Sequence, residues 1–190
     1  MCTSIFQHSI DGNHLFSRTM DWHSLNSFPL YLPAGYSWHS SFDGNLYTDK
    51  YAIIGNGFYR SDRLDISDGV NQKGLSVQKL TFANADNFYS KNSDPNKIQL
   101  APFEFAFWAM ANFASVQELV DFLPKVEIMS GEFAQRRYGK ADLHFAACDK
   151  SGRFVLIEPL SMPMKVIENP LGVVTNAPNF SNELQNYQLT

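Results

Sequence analysis

The sequence predicts an α+β fold in which strands come first, two helices follow, and strands return. Two hairpin patterns and one pair of helical segments support this prediction. The first hairpin surrounds a turn at 11–13, and the second surrounds a turn at 149–152. The helical segments lie between them, at about 102–123. Because the strands and helices are segregated along the chain, the order favours helices packed on a largely antiparallel sheet.

The N-terminal hairpin consists of two extended segments joined by a tight turn. Residues 3–9 have the pattern of a β-strand, the Asp-Gly-Asn sequence at 11–13 is a turn signal, and residues 14–19 are extended again. Residues 24–44 are rich in Ser, Pro, Gly and aromatic side chains, which predicts ordered loops with short strands. The hairpin places Cys2 at the head of a strand, either at a sheet edge or in its centre.

The middle of the chain adds interior strands and then a helix. We predict strands at 51–58 and 75–82, the second entered through the turn at 71–74. A polar stretch at 83–96 has the composition of an exposed loop. A helical segment follows at about 102–113.

The second helix is marked by its own start and stop signals. Ser115 and Glu118 have the spacing of a capping box, and Pro124 ends the helical pattern. The remaining strands are predicted at 142–149, 153–158, 164–167 and 172–175. No internal repeat or linker divides the chain, so we expect residues 1–190 to form a single domain.

The composition excludes several classes of protein. The chain has 190 residues, 44% of them hydrophobic, which is enough to bury a substantial core. The formal charge is −4 and no basic stripe is present, so nucleic acid is not an expected partner. Two cysteines are too few for a disulfide scaffold. Neither a signal peptide nor a membrane-spanning run is evident, so we expect a soluble, cytoplasmic protein with no membrane partner.

The cysteine at position 2 is the first candidate for chemistry. Methionine aminopeptidase generally removes Met1 when the next residue is small, which would leave a free α-amine on the residue that carries the thiol. A free α-amine has a reference pKa of roughly 7.7–8.0 and a thiol of about 8.5, so proton exchange between them is nearly thermoneutral. Cys2 would then carry both a nucleophile and its base. The alternative is that Cys2 is an ordinary small hydrophobic residue of a first strand.

Two charged residues at the end of the return strand are placed to assist this thiol. A short hairpin would bring the guanidinium of Arg18 close to a Cys2 thiolate, and the carboxylate of Asp21 close to the α-ammonium. A surface ion pair at a strand end is the alternative explanation of these two residues.

Other groups of reactive residues are weaker candidates. Cys148 is the second possible nucleophile, but it follows an apolar run in which a buried, inert thiol is expected. The five histidines have no metal-ligand spacing, and the chain has no phosphate-binding loop and no G-x-S-x-G elbow. We therefore expect neither a metal nor a cofactor.

Four motifs together resemble a known family. They are Met1-Cys2-Thr3, Phe16-Ser17-Arg18-Thr19-Met20-Asp21, Asp68-Gly69-Val70-Asn71-Gln72-Lys73-Gly74-Leu75 and Gly172-Val173-Val174-Thr175-Asn176-Ala177-Pro178. In this order and spacing they resemble the choloylglycine hydrolases, which include bile salt hydrolases and penicillin V acylases. The resemblance covers essentially the whole chain. It implies an N-terminal-nucleophile hydrolase with a four-layer αββα sandwich, and an amidase activity on linear C–N bonds.

The resemblance also implies a role for individual residues. Cys2 would be nucleophile and base, Arg18 would support the thiolate, Asp21 would bind the α-amine, and Asn176 would donate its side-chain amide to the oxyanion. Bile salt hydrolases typically read Leu-Asn-Phe at a position where this chain reads Leu80-Thr81-Phe82, so Thr81 replaces the Asn. That position is expected to lend a backbone N–H to the oxyanion, and a backbone donor survives the change of side chain.

The implied substrates are small N-acyl amides. Bile acids conjugated to glycine or taurine and phenoxyacetyl-penicillin are the two leading candidates, and N-acyl homoserine lactones share their shape. An apolar acyl group would suit a pocket lined by Phe58 or Tyr59 on one side and Trp22 on the other.

The chain departs from the family in length. Family members are considerably longer and carry a further catalytic arginine and more sheet strands beyond the position that corresponds to Thr190. We therefore expect the sandwich to be incomplete at the C-terminus and the chain to be the N-terminal portion of a longer family domain. A truncated, inactive relative that acts as a binding protein is the alternative to an enzyme, and the resemblance leaves a homo-oligomer open.

Overall fold

The computed structural model describes residues 1–21, 26–60, 63–83 and 87–188. The strands in chain order are β1 (Cys2–His8), β2 (His14–Met20), β3 (Phe28–Leu32), β4 (Ser37–His39), β5 (Leu46–Thr48), β6 (Ile53–Arg60), β7 (Arg63–Asn71), β8 (Ser76–Thr81), β9 (Ile98–Leu100), β10 (Val126–Ile128), β11 (Leu143–Cys148), β12 (Phe154–Glu158), β13 (Lys165–Glu168) and β14 (Val173–Val174). The α-helices are α1 (Phe105–Asn112), α2 (Val116–Phe122) and α3 (Phe180–Gln188), and short 3₁₀ helices lie at Pro102–Glu104, Leu123–Lys125 and Gly131–Phe133.

The predicted N-terminal hairpin is confirmed, and its first strand is central. β1 and β2 pair antiparallel from Cys2 opposite Met20 to His8 opposite His14. Gly12 has a φ of 84° in the connecting turn, a backbone conformation that glycine adopts without strain. β14 pairs with the other edge of β1, which gives a three-stranded sheet in the order β14-β1-β2. Cys2 therefore begins a strand that has a neighbour on each side.

A seven-stranded sheet forms the second layer. Its strand order is β13-β12-β11-β8-β7-β6-β3, and its neighbouring strands pair antiparallel. The predicted hairpin around 149–152 joins β11 to β12, with the amide of Gly152 donating to the carbonyl of Asp149. The predicted turn at 71–74 joins β7 to β8.

β7 and β8 pair over only part of their length. Their register runs from Asp68 opposite Gln78 to Val70 opposite Ser76. Beyond these pairs the first half of β7 stays with β6, where a bulge shifts the register between Asn56 and Gly57. The seven-stranded sheet therefore has a gap between two adjacent strands, and this gap borders the cavity that contains Cys2.

Side chains alternate between two cores on opposite faces of this sheet, as the period of a β-strand requires. In β11, Phe145 and Ala147 pack with the helical layer, whereas Ala146 and Cys148 pack with the three-stranded sheet. Every residue of α1 except Asn112 is buried, because the helix lies on β7 and β8 and is covered by other elements. One helical layer and two sheets thus give the α-β-β part of the expected αββα sandwich.

The second helix is capped as the sequence predicts, with one difference. The hydroxyl of Ser115 accepts a hydrogen bond from the amide of Glu118 at 3.2 Å. The carboxylate of Glu118 accepts from the amide of Ala114 at 2.9 Å, one residue earlier than in the standard capping box.

Within the described residues, no helix combines the length and the apolar character needed to cross a bilayer.

Candidate active site

Cys2 lies at the wall of a cavity of about 390 Å³, with 7% of its surface exposed. Its backbone pairs with Met20 of β2, and β14 flanks the same strand at Ser4 and Ile5. The backbone N–H of Cys2 donates to Oδ1 of Asn176 at 2.5 Å. The thiol is therefore enclosed, next to a space for a small molecule, and on a rigid strand.

Asn176 connects Cys2 to the seven-stranded sheet. Its Nδ2 donates to the carbonyl oxygen of Thr81 at 2.9 Å, while its Oδ1 accepts from Cys2. Thr81 ends β8 and also lines the cavity. A primary amide has two N–H groups, and the contact with Thr81 uses one of them. The three residues are thus held together by one side chain, which reaches them from the segment that follows β14.

Arg18 bridges the gap between β7 and β8. Its Nη1 donates to the carbonyl of Lys79 at 2.8 Å and lies 3.4 Å from the carbonyl of Ser67. The same nitrogen is 3.6 Å from Oδ2 of Asp68. The Arg18 side chain is only 8% exposed, and it lines the cavity with Cys2. A cation is therefore fixed in the wall of the thiol cavity by carbonyls of the two separated strands.

The carboxylate of Asp68 is affected by opposing influences. Burial raises the pKa of Asp68, because a low-dielectric environment disfavours the charged form. The charges of Arg18 and Lys79 act in the opposite direction. The positive charge of Arg18 therefore stabilises the charged form of the Asp68 carboxylate against the effect of burial.

Asp21 contacts the start of the chain through its backbone. The α-amine of Met1 donates to the carbonyl of Asp21 at 3.1 Å, and the amide of Asp21 donates to the carbonyl of Met1 at 3.0 Å. The Asp21 side chain is exposed. The structure includes Met1, so the nitrogen of Cys2 is an amide here, and the contact expected between the Asp21 carboxylate and a Cys2 α-amine requires removal of Met1.

The residues expected in the substrate pocket differ in their positions. Phe58 lines the cavity with Cys2. Tyr59 points elsewhere, because it lines a separate cavity with Trp38 and Glu104 and is 53% exposed. The expectation for Trp22 lies outside the described residues.

Sequence reasoning missed a charged cluster in the same cavity. Lys79 forms an ion pair with Asp65, and the side chains of both are 9% exposed. Arg63 places Nη2 at 2.9 Å from the other carboxylate oxygen of Asp65. Burial lowers the pKa of Lys79, and the carboxylate of Asp65 opposes this change. A lysine within a strand predicted to be interior was the available sequence signal, but its partner lies on β7, which the sequence pattern did not reveal.

Cys148 has the properties of an inert thiol. It is 5% exposed, and burial raises its pKa to about 12. Its thiolate population near neutral pH is therefore very small. Among the described residues, no group of three or more His, Cys, Asp or Glu side chains is arranged to hold a metal ion.

The chain matches known proteins along nearly its full length. Residues 2–189 match the family described as linear amide C–N hydrolases, choloylglycine hydrolase family. The bile salt hydrolase/transferase of Clostridium perfringens is 30% identical over 98% of this chain and 56% of its own length. The penicillin V acylase of Pectobacterium atrosepticum is 31% identical over 73% of this chain and 38% of its own length.

The fold agrees with that of a solved relative. A variant of the conjugated bile acid hydrolase from Clostridium perfringens superposes with a TM-score of 0.89 at 29% identity, covering 100% of this chain and 57% of that one. The expected N-terminal-nucleophile hydrolase fold is confirmed, and the chain spans a little more than half the length of these relatives. The chain belongs to the choloylglycine hydrolase family of linear amide C–N hydrolases.

Proposed function

We propose that this chain hydrolyses small N-acyl amides through Cys2 after removal of Met1. The observation that carries the proposal is the enclosed thiol, whose strand is tied through Asn176 to Thr81 and whose cavity is lined by Arg18. Cys2 and Arg18 supply a nucleophile and a cation in one cavity, and Asn176, bonded to Cys2 and Thr81, supplies an amide donor beside the thiol residue.

The reaction begins with proton transfer from the thiol to the free α-amine of Cys2. The thiolate attacks the amide carbon, and the carbonyl oxygen becomes an oxyanion that accepts hydrogen bonds from the Asn176 amide and the Thr81 backbone N–H. The ammonium returns a proton to the amide nitrogen, the C–N bond breaks, and the amine leaves. An acyl thioester on Cys2 remains.

Water completes the cycle. The α-amine of Cys2 takes a proton from water, and the resulting hydroxide attacks the thioester carbon. The C–S bond then breaks, the acid is released, and the proton restores the thiol. Arg18 stabilises the thiolate at both ends of the cycle by its positive charge, and Asp21 holds the ammonium in the intervening steps.

Conjugated bile salts and penicillin V are the substrates that we propose first, because relatives named for each activity match this chain. The test is release of glycine, taurine and 6-aminopenicillanic acid from their conjugates by the purified chain. We expect release by the wild-type chain and by Cys148→Ser, because the Cys148 thiol is buried and protonated and is not the proposed nucleophile. We expect no release by Cys2→Ser. Equal release by Cys2→Ser would reject Cys2 as the nucleophile, and no release by any variant would favour the alternative of a binding protein.

A further inference from the structure

Three charged side chains form one wall of the Cys2 cavity, which we call the charged wall. Its members are Lys79, Asp65 and Arg63. Asp65 accepts from both cations, one at each carboxylate oxygen. The Nζ of Lys79 also lies 3.5 Å from the carbonyl of Phe103. The cavity that contains the proposed nucleophile is therefore not uniformly apolar.

The charged wall carries an excess of positive charge. Two cations share one carboxylate within it. Arg18, the remaining cation among the described residues of the cavity, has one carboxylate near it, that of Asp68 at 3.6 Å. Across this part of the described chain, three cations thus face two carboxylates. A negatively charged group that entered the cavity would meet a favourable field in a partly desolvated space.

Arg63 also has donor capacity that is not used. Its guanidinium lies over the ring of Phe103, with 3.7 Å between the central carbon and the ring centroid. Its Nε is buried and has no hydrogen-bond acceptor among the residues that the structure describes. A buried N–H without a partner costs free energy, which a ligand oxygen would recover if the guanidinium turned towards it.

An apolar acyl group would fit this wall poorly. It would remove water from Lys79 and Arg63 and offer no acceptor in return, which is unfavourable for charged groups. A buried ion pair is often no more stable than apolar residues of equal volume, so stability alone gives little reason for charges at this place. Recognition of a charged ligand does give a reason.

The reaction order indicates which part of the substrate would meet the wall. The amine leaves first, while the acyl group is still bonded to Cys2. A group bound at Lys79, whose side chain is only 9% exposed, is enclosed and suits the part that stays. The acyl arm is that part.

We infer that the Cys2 cavity accepts N-acyl amides whose acyl arm ends in a carboxylate, and that Lys79 and Arg63 bind this carboxylate. The inference rests on the proposed amide hydrolysis in the same cavity. Within the N-acyl amides proposed above, it names dicarboxylic acid monoamides as preferred over conjugates with an apolar acyl arm, and Lys79 and Arg63 as the residues that determine this preference.

The test is a binding comparison with matched probes on the full chain carrying Cys2→Ala, which prevents turnover. Glutarylglycine is compared by calorimetry with 4-carbamoylbutanoylglycine, which has the same length but a neutral end. We expect the carboxylate probe to bind roughly tenfold more tightly at low salt, with a smaller difference at high salt. Pentanoylglycine and pentanoylglycinamide serve as a second pair, which moves the difference in charge to the amine side.

Two variants locate the effect. Arg63→Gln leaves the Lys79–Asp65 pair intact, and the 41% exposure of the Arg63 side chain makes this change tolerable to the fold. The double variant Lys79→Met with Asp65→Asn removes both charges together, so neither is left buried and unpaired. We expect each to reduce the preference for glutarylglycine to about twofold or less, with thermal unfolding as the check on folding.

The outcomes separate this inference from the proposed function. Equal binding of the first pair, a preference only within the second pair, a preference that survives both variants, or no binding of any probe would overturn the inference. Glycine release by the wild-type chain is measured alongside. Selective binding without glycine release would reject the proposed hydrolysis but support the preference for an acyl-arm carboxylate. Glycine release without selective binding would support the hydrolysis and reject the preference.

Discussion

Asn176 is the residue on which the proposed chemistry depends most after Cys2 itself. Its amide accepts from the Cys2 nitrogen and donates to Thr81, so the side chain is oriented by two strands before substrate binds. A donor fixed in this way needs little reorganisation when an oxyanion forms.

We predict that Asn176→Ala lowers kcat by roughly 10²–10³-fold with little change in KM, because the lost donor acts mainly on the oxyanion. Steady-state hydrolysis of the best conjugate checks this. Asn169→Ala is the matched control, since Asn169 is buried and its side chain bonds within its own turn, to Val173 and Leu171. The control should lower the melting temperature and leave kcat of the folded protein unchanged. A change in KM alone for Asn176→Ala would contradict the oxyanion role.

The sequence predicted the approach of Arg18 to Cys2 from the hairpin, whereas only the family resemblance placed Asn176 at the same site. Their contacts depend on strand register, which the hairpin turn sets for Arg18 but which no local pattern sets for Asn176. The Lys79–Asp65 pair could not be predicted, because it joins two strands across a gap in their pairing. The orientation of Tyr59 away from the cavity likewise follows from register in β6.

At the scale of the elements, the gap between β7 and β8 is the feature that shapes the cavity. At the gap, Arg18 of β2 donates to the carbonyls of Ser67 on β7 and Lys79 on β8. One side chain thereby joins the two sheets and substitutes for ladder hydrogen bonds at a position where the site needs space.

We predict that Arg18→Met lowers the free energy of unfolding by about 1–3 kcal/mol, because buried carbonyls and Asp68 lose their cationic partner. Urea unfolding at neutral pH measures this. Arg153→Met is the control: Arg153 pairs with Glu168 at 2.6 Å, but that carboxylate is largely exposed. The control should change stability by about 0–1 kcal/mol. An equal, small effect of both changes would show that Arg18 does not hold the strands.

Elements with strong local signals were predicted well, and those without were missed. The capped α2, the two hairpins and the apolar α1 carry clear patterns. β7 was missed because polar residues interrupt it and a bulge breaks its alternation with β6. α3 was missed because its sequence is rich in Asn and Gln, and only Phe180 within it is buried.

For the whole molecule, His144 links the stability of the fold to pH. It is buried in β11 and stacks on Phe82 with 4.3 Å between ring centroids. Burial lowers the pKa of His144 to about 4, and the backbone of Thr175 opposes this only in part. The unfolded chain would bind a proton near pH 6.5, whereas the folded chain would not. Stability is therefore complete above about pH 6.5 and decreases as the pH falls towards 4.

We predict that this histidine contributes a loss on the order of 2–3 kcal/mol between pH 6.5 and 4. His144→Gln should be less stable than the wild type at neutral pH but should lose less stability on acidification. His39→Gln is the control for the substitution itself, because His39 is exposed. Urea midpoints at several pH values give the comparison, and parallel curves for the wild type and His144→Gln would contradict the assignment.

The layer order of the molecule was predicted through the family resemblance, and local patterns alone gave only the α+β class. The superposition on a relative extends over the full chain, although the chain spans little more than half of that relative. The inter-sheet core, which includes Cys2, Phe6 and Leu80, explains why the first strand can hold a thiol rigidly. Its position between two sheets follows from long-range pairing and not from the residues near it.

The most direct test of Cys2 as the nucleophile is the mass of the chain trapped during turnover. The purified protein is mixed with penicillin V or a glycine-conjugated bile salt, quenched in acid within the first turnovers, and analysed by intact mass and peptide mapping. We expect loss of Met1 and one acyl group bonded to Cys2, and no such acyl group on Cys2→Ala. An acyl group on Cys148, or product formed with no adduct and no requirement for Cys2, would contradict this role of Cys2.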